Sequence, residues 1–197
     1  MKYSLKKNML YQYNNDIDWD SAVNFIFIED SIFFIQRSDS MPSHAGQVAF
    51  VGGHKKKYES HPFETAMREF EEETGFNSKN LLNMNLLEPV STVSRTLIFP
   101  VVSEFNISKK EFLKEIKSNG EWSSAYLVPS DYLFNIRHWS KGYSYGNDRI
   151  KPIYFCPIPV EKISQRGVSD SNKVILWGAT ARIIWNFFKK HIDDAKN

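Results

Sequence analysis

A stretch in the first half of the chain combines clear helix boundaries with an unusual number of carboxylates. Pro62 suits a first helical position, and Ser60 or His61 just before it can cap the free backbone amides. Gly75 can adopt the left-handed conformation that ends a helix. The sequence therefore predicts a helix over residues 62–74, and the fold has to accommodate its acidic face.

The predicted helix has an apolar stripe and an acidic arc beside it. Four apolar residues recur at i, i+3, i+4 and i+7 and predict the core-facing stripe: Phe63, Ala66, Met67 and Phe70. Glu69, Glu72 and Glu73 gather on the neighbouring arc, where like charges repel by roughly 0.2–0.5 kcal/mol per pair. Mg²⁺ accepts such carboxylates together with substrate phosphates, so the arc is a candidate metal site, although an acidic helix taken alone is more often an exposed polar face. Glu71 points elsewhere, and with Glu64 and Arg68 near it we expect solvated ion pairs there.

The acidic arc belongs to a longer pattern. Residues 68–76 resemble the second half of the Nudix box, which reads Arg-Glu, an apolar residue, any residue, Glu-Glu, any residue, Gly and an apolar residue. Every specified position is met. The spacing from Gly53 to Arg68 is slightly longer than the commonest Nudix spacing and resembles the coenzyme A pyrophosphatase branch of the family.

The upstream sequence is also similar to the accessory motif of that branch. The matching positions keep their register without a gap: Arg37, Ser38, Gly46, Phe50, Gly52 and Gly53. Pro42 stands where the motif has its second arginine, and Val51 stands where it has a proline. The first departure removes a cation that could hold a substrate phosphate, and the second affects loop stiffness more than chemistry.

The resemblance implies a fold and a set of site residues. The fold is the Nudix fold, an α/β (α+β) arrangement in which a mixed β-sheet lies between helices as α/β/α layers. The residues implied for catalysis and for binding Mg²⁺ or Mn²⁺ are Glu69, Glu72, Glu73, Arg68 and the carbonyl of Gly53. The candidate substrate contacts are Arg37, Ser38, Gly52 and Arg95, and Glu121 is a candidate base or additional ligand. Arg68 is expected to pair with Glu59 or a helix glutamate and to fix the loop without touching substrate.

Three functions fit this pattern. The first is metal-dependent hydrolysis of coenzyme A or an acyl-CoA to phosphopantetheine and 3′,5′-ADP. The second is hydrolysis of ADP-ribose, a nucleotide sugar or a dinucleotide, in which Pro42 reflects a different pocket. The third is a ligand sensor of the same fold without turnover, against which the intact glutamate set argues. The identity of the general base is open between a helix glutamate and Glu121.

Composition limits the partners and the compartment. A net charge of +2 with interspersed signs gives no basic face for a nucleic-acid polymer. Cys156 is the only cysteine, and no apolar run approaches the roughly 20 residues that span a bilayer. We therefore expect a cytoplasmic protein without a membrane partner, acting on a small diphosphate. Trp177 and Trp185 are expected in the core or in a homodimer contact.

The remaining elements follow from local patterns. The chain is predicted to be a single domain over residues 1–197, with 1–20 an N-terminal arm and 171–192 a C-terminal helix capped by Ser171 or Asp170. Strands are predicted over residues 23–28, 32–35, 48–51, 86–93, 97–102 and 121–129, and a helix over 109–117. Residues 137–169 are predicted to be long loops with one strand at 153–155.

Overall fold

The computed structural model describes residues 10–14, 17–92, 94–146, 149–167 and 172–195. The strands found there are β1 Ser21–Ile28, β2 Ser31–Arg37, β3 Val48–Ala49, β4 Val51–His54, β5 Leu81–Leu86, β6 Val90–Ser91, β7 Leu97–Phe105, β8 Trp122–Pro129, β9 Ser140–Gly146, β10 Arg149–Pro159, β11 Ser164–Arg166 and β12 Lys173–Leu176. The α-helices found there are α1 Pro62–Thr74, α2 Lys109–Glu115, α3 Ser130–Leu133 and α4 Gly178–Ala195. None of these described helices is both long enough and apolar enough to cross a bilayer.

Nine strands form one mixed sheet in the order β11-β8-β2-β1-β7-β5, with β3 on β2, β4 on β1 and β6 on β7. Strand β1 runs parallel to β7, and its other edge is shared between two antiparallel partners. It pairs with β2 only near the hairpin and with β4 over residues 21–24. The sheet therefore opens between β2 and β4, and the two glycines of β4 lie beside the start of β1.

Helices cover both faces of this sheet. Phe70 of α1 and Phe112 of α2 pack with Ile35 of β2 in one core cluster. Phe187 of α4 packs with Phe34 of β2 in another cluster, which also contains buried side chains of β10 and β12. The predicted α/β/α arrangement with a mixed sheet is confirmed.

Helix α1 has the predicted bounds. His61 caps its start, because the His61 ring nitrogen accepts a hydrogen bond from the Phe63 amide at 3.2 Å. Gly75 ends it with φ = 73°. The buried face is shifted from the predicted one: Ala66 and Phe70 are fully buried, whereas Phe63 is half-buried and Glu73 is enclosed instead.

The N-terminal arm packs on the sheet where it is described. The Tyr11 amide donates to the Leu86 carbonyl at 2.7 Å, and the rings of Tyr11 and Tyr13 meet the edge of Phe99. Trp19 is buried in the same cluster. Residues 1–9, 15 and 16 of the predicted arm lie outside the described residues, and the extent of the domain stays a prediction.

Two predictions of strands and loops are wrong. The strand predicted over residues 86–93 is instead the end of β5 and the short β6, separated by Pro89, which has no amide to donate to a ladder. The region 137–169, predicted to be mostly loop, contains the β9–β10 hairpin and β11. Pro152 is tolerated in β10 because residues 149–155 pair with β9 on one side, whereas β12 pairs only with residues 156–159.

The C-terminal helix begins later than predicted. Residues 173–176 form β12, which pairs with β10. Helix α4 begins only at Gly178, whose φ is 65°. The predicted caps Asp170 and Ser171 lie outside the described residues. Trp177 is 42% exposed and is therefore not a core residue, whereas Trp185 stacks on Tyr154 at 4.5 Å between ring centroids.

Candidate active site

Strand β4 brings backbone groups against the carboxylates of α1. The Gly52 amide donates to Glu73 Oε2 at 3.1 Å. A Cβ added to Gly53 would overlap the carboxylate of Glu69, so the absence of a side chain there is what lets this carboxylate approach the backbone. A Cβ on Gly52 would overlap the Ala22 carbonyl and the backbone of Val23, which lies opposite it in β1. Gly52 is thus required by the backbone packing of β1, whereas Gly53 leaves room for the Glu69 side chain.

Glu73 is the most enclosed of the three glutamates in the acidic arc of α1. Its side chain is 1% exposed, and burial raises the pKa of its carboxyl group to about 8, with the negative charge of Glu69 adding to the effect. The Gly52 amide and the charge of Arg37 act in the opposite direction and do not cancel the burial. A cation beside this carboxylate would relieve that penalty.

Arg68 joins the helix to the loop before it. Its Nε donates to Glu59 Oε1 at 2.7 Å, and its Nη1 donates to Glu69 Oε1 at 2.6 Å and to Glu72 Oε2 at 3.0 Å. Its Nη2 donates to the His54 carbonyl at 3.0 Å. The predicted pairing with Glu59 and with helix glutamates is confirmed, and the guanidinium holds the ends of β4 and α1 together.

Glu59 is itself held on three sides. It is 4% exposed and accepts from the Lys56 amide at 2.6 Å and from the Thr65 hydroxyl at 2.5 Å, in addition to Arg68. Burial acts to raise the pKa of Glu59, but the bonds from Arg68, Thr65 and Lys56 outweigh it, so the pKa lies below its usual value. Glu59 is an anchor for the loop rather than a solvent-facing acid.

Glu69 and Glu72 lie in different environments although they share Arg68. Burial raises the pKa of Glu69 above its usual value despite the Arg68 bond. Glu72 is about half-exposed and also pairs with Lys56 at 3.1 Å. For Glu72 the same burial effect is outweighed by Lys56 and Arg68, and its pKa is lowered.

The ion pairing predicted around Glu71 is wrong. Glu71 Oε1 accepts from the Ser78 amide at 2.9 Å and from the Ser78 hydroxyl at 2.7 Å, so it caps the turn after α1. Glu64 instead accepts from the Ser60 amide at 2.7 Å. Arg68 is turned toward the acidic arc and Glu59, away from both.

Two of the predicted residues from distant parts of the sequence reach this site. After burial and nearer charges, Glu121 raises the pKa of both Glu69 and Glu73, and Arg37 lowers that of Glu73. The Nε of Arg37 is buried and has no hydrogen-bond partner among the described residues. Arg37 of β2 is paired with Trp122 of β8, and Glu121 directly precedes Trp122. This pairing explains how Arg37 and Glu121 come close to the same part of α1.

The other two predicted substrate contacts are less directly placed. Ser38 lies next to Arg37, and its amide donates to the Glu121 carbonyl at 2.8 Å while its hydroxyl meets that of Ser40 at 2.9 Å. Arg95 lies exposed in the turn before β7 with φ = 68°, and the described contacts do not join it to the glutamates. Their roles stay predictions.

Two positioning residues have no counterpart in the sequence analysis. The Trp122 indole donates to the Glu73 carbonyl at 2.6 Å, and the Asn24 amide donates to the carbonyls of Val51 at 3.3 Å and Ala66 at 2.8 Å. Asn24 thus ties β1 to both β4 and α1. The available signal was a lone asparagine within the otherwise apolar run of β1.

The donor set fits a hard divalent cation. Carboxylate oxygens of Glu69 and Glu73 lie against the backbone of Gly53 and Gly52, and both carboxyl groups have raised pKa values that a bound cation would lower. In the described part of the chain, no three acidic, histidine or cysteine side chains stand ready-arranged around one point. Binding a metal ion would therefore require the carboxylates of the acidic arc to move closer together.

Comparison with known proteins agrees with this geometry. The profile of the NUDIX domain family matches residues 19–124, more than half of the chain. A protein of Pectobacterium atrosepticum named uncharacterized Nudix hydrolase NudL is 27% identical over 157 residues, which cover 78% of this chain and 71% of that protein.

Two further relatives widen the comparison. The peroxisomal coenzyme A diphosphatase NUDT7 of Mus musculus is 27% identical over 106 residues, which cover 53% of this chain and 42% of that protein. Among solved structures, a MutT/nudix family protein from Enterococcus faecalis is similar over 93% of this chain and 65% of its own, with a TM-score of 0.49 and 15% identity.

Proposed function

The chain belongs to the Nudix family of pyrophosphohydrolases, and we propose that it cleaves the diphosphate linkage of coenzyme A or an acyl-CoA. The products would be phosphopantetheine, or its acyl derivative, and 3′,5′-ADP. The observation that carries the reaction class is the enclosed Glu73 carboxylate, which accepts from the Gly52 amide and feels the opposite charges of Glu69 and Arg37. A buried acid kept at this energetic disadvantage is typical of a functional site.

The choice of coenzyme A rests on two weaker observations. The motif from Arg37 to Gly53 keeps the register of the coenzyme A branch at six positions of the sequence. The mouse coenzyme A diphosphatase is similar over about half of this chain. Pro42 counts against this choice and favours the second candidate, an ADP-ribose, nucleotide-sugar or dinucleotide pyrophosphatase.

The residues would divide the work as follows. Glu69, Glu72 and Glu73, with the Gly53 carbonyl, would hold Mg²⁺ or Mn²⁺, which when bound neutralises diphosphate oxygens and acidifies water. Arg37, whose charge acts on Glu73, would meet a phosphate oxygen. Glu121 or a helix glutamate would accept the proton of the attacking water. Water oxygen then bonds to one phosphorus as the bridging P–O bond breaks, leaving two phosphate monoesters.

Arg68, Trp122 and Asn24 act through position rather than contact with substrate. Arg68 fixes the loop by its bonds to Glu59 and His54, and Trp122 and Asn24 fix opposite parts of α1. This division accounts for why an arginine stands beside three glutamates without being the phosphate ligand. A sensor without turnover would have no use for the full set of glutamates.

A substrate panel tests the proposal. Purified protein with Mg²⁺ is incubated with coenzyme A, acetyl-CoA, ADP-ribose, a nucleotide sugar and a dinucleotide, and the products are identified by mass spectrometry. Preference for coenzyme A supports the first candidate, and preference for the others supports the second. Tight binding of any of them without product would overturn the hydrolase assignment in favour of a sensor. The cytoplasmic location and the homodimer are also proposals. Cell fractionation tests the location, and light scattering tests the oligomeric state.

A further inference from the structure

A concave region lies on the α4 side of the sheet. It has a volume of about 380 Å³, within the range of small-molecule pockets. Its lining includes Gln36, Gln47, Val48, Lys173, Ile175 and Trp177. Gln36 belongs to this side because its Oε1 accepts from Tyr126, whose ring is part of the core under α4. The glutamates of α1 lie on the other face.

The lining has the chemistry of a site for a flat anionic ligand. Trp177 and Ile175 are each 42% exposed, which is unusual for side chains of this size. Lys173 supplies a positive charge to this lining. Gln36 and Gln47 add amide groups that can meet the edge of a heterocycle. Aromatic side chains stack on nucleobases with little dependence on which base is bound.

The backbone that carries Trp177 is well fixed. Strand β12 pairs with β10 up to Leu176, and the Trp177 carbonyl accepts from the Ala181 amide at 3.4 Å at the start of α4. The indole is thus attached at a junction of two regular elements rather than in a free loop. A stacking surface presented in this way loses little conformational freedom when a ligand binds.

One wall of the cavity is hydrogen-bonded to Arg37 of the candidate active site. The Gly46 amide donates to the Arg37 carbonyl at 3.1 Å, and the Arg37 amide donates to the Gln47 carbonyl at 2.9 Å. The loop that forms one wall is therefore bonded to the residue whose charge reaches Glu73. A substrate lying over the end of β2 can place its diphosphate near Arg37 and one arm in the cavity.

We propose that this cavity binds the nucleobase half of the diphosphate substrate, with the base stacked on Trp177 and an anionic group of that half near Lys173. The inference rests on the proposed function for the identity of the substrate. It adds that recognition of the nucleotide half is separate from the acidic helix and lies on the opposite face of the sheet. The sequence pattern placed Trp177 in the core or in a homodimer contact, and only the structure shows that its side chain is exposed.

The test measures binding of the two halves of the substrate separately. Titration calorimetry with 3′,5′-ADP and with phosphopantetheine is carried out on the full chain and on Trp177→Ala, Trp177→Phe and Lys173→Gln. We expect Trp177→Ala to weaken the binding of 3′,5′-ADP by about fivefold or more, and Trp177→Phe to retain most of that affinity. The affinity for phosphopantetheine is expected to be the same in all variants. Lys173→Gln is expected to weaken the binding of 3′,5′-ADP as well.

Tyr143→Ala is the matched control, because Tyr143 is 54% exposed beside Lys141 on β9 but does not line this cavity. Equal affinity of the parent chain and Trp177→Ala for 3′,5′-ADP would overturn the inference, as would a loss confined to phosphopantetheine. If the chain hydrolyses diphosphates and its affinity for 3′,5′-ADP is the same with and without the Trp177 side chain, only this inference fails. If 3′,5′-ADP binding depends on Trp177 but no diphosphate is hydrolysed, only the proposed function fails.

Discussion

At the scale of single residues, the position of Glu73 matters more than its charge. It follows Phe70 by three residues and Ala66 by seven, so it shares their buried stripe. Glu71, two residues earlier, faces solvent and caps the next turn. The two glutamates therefore form a matched pair on one helix, with one placed at the site and the other away from it.

We expect Glu73→Gln to lower kcat by at least about a hundredfold with the fold retained, because the amide keeps the size of the side chain but is a poor ligand for Mg²⁺. Glu71→Gln is expected to retain near-normal activity. The measurement is steady-state hydrolysis in Mg²⁺, together with Mn²⁺ binding followed by electron paramagnetic resonance. Undiminished Mn²⁺ affinity and turnover in Glu73→Gln would remove the metal assignment.

Substitutions of Pro42 test which substrate the enzyme prefers. It lies exposed in the loop whose Gly46 amide is bonded to Arg37, at the position where the coenzyme A motif has an arginine. Pro42→Arg restores a cation, and one charge-assisted bond to phosphate raises kcat/KM for coenzyme A relative to ADP-ribose by about tenfold. Pro42→Ala separates the effect of the charge from that of removing proline. An unchanged ratio in Pro42→Arg would show that the loop does not select the substrate.

At the scale of elements, α1 was predictable, as were β7, α2 and β8, whereas most of the strands between residues 137 and 176 were not. Pro62, Gly75 and the spacing of Ala66 and Phe70 are local signals that act within the helix itself. The β9–β10 hairpin is different, since Pro152 is acceptable only because β12 does not pair alongside it. That condition is set by tertiary structure and is absent from the local sequence.

The same limit applies to the candidate site. The glutamates and Arg68 could be identified from one contiguous motif, whereas Trp122 and Asn24 reach α1 through strand pairing that the sequence does not reveal. Trp177 was expected in the core or in a homodimer contact. Residues 173–176 were predicted to be helical but pair with β10, and the Trp177 side chain is exposed and lies outside the core. Residues that act through distant pairing are therefore the ones that sequence reasoning missed.

The contact between β4 and α1 gives a prediction about two adjacent glycines. A Cβ on Gly53 overlaps only the movable carboxylate of Glu69, so Gly53→Ala is expected to fold with weakened Mn²⁺ affinity. A Cβ on Gly52 overlaps backbone atoms of β1, so Gly52→Ala is expected to lower the melting temperature by several degrees or prevent folding. Thermal unfolding and Mn²⁺ titration distinguish the two. Equal effects of both substitutions on stability would contradict the described packing.

At the scale of the whole molecule, opposite pKa shifts shape how stability depends on pH in metal-free protein. Asp30, beside Lys109, and Glu59, beside Arg68, have pKa values below the ordinary ones, so the stability they contribute is lost as the pH falls through those lowered values. Glu73 has the opposite shift, from 4.5 to about 8. Its contribution is complete below pH 4.5 and is lost as the pH rises toward 8, because the unfolded chain then releases a proton that the folded chain retains.

In excess chelator we therefore expect the melting temperature to peak at mildly acidic pH and to fall by roughly 5 °C or more by pH 7, since Glu73 alone removes roughly 2–3 kcal/mol over that interval. Glu73→Gln is expected to flatten this decline, and Glu71→Gln is expected to retain it. Adding Mg²⁺ at pH 7–8 should raise the melting temperature of the parent chain and leave that of Glu73→Gln nearly unchanged, because an ion that binds only the folded state stabilises it. A decline of the same size in Glu73→Gln would show that other groups control the alkaline side, and that the enclosed carboxylate is not where the folded chain retains its proton.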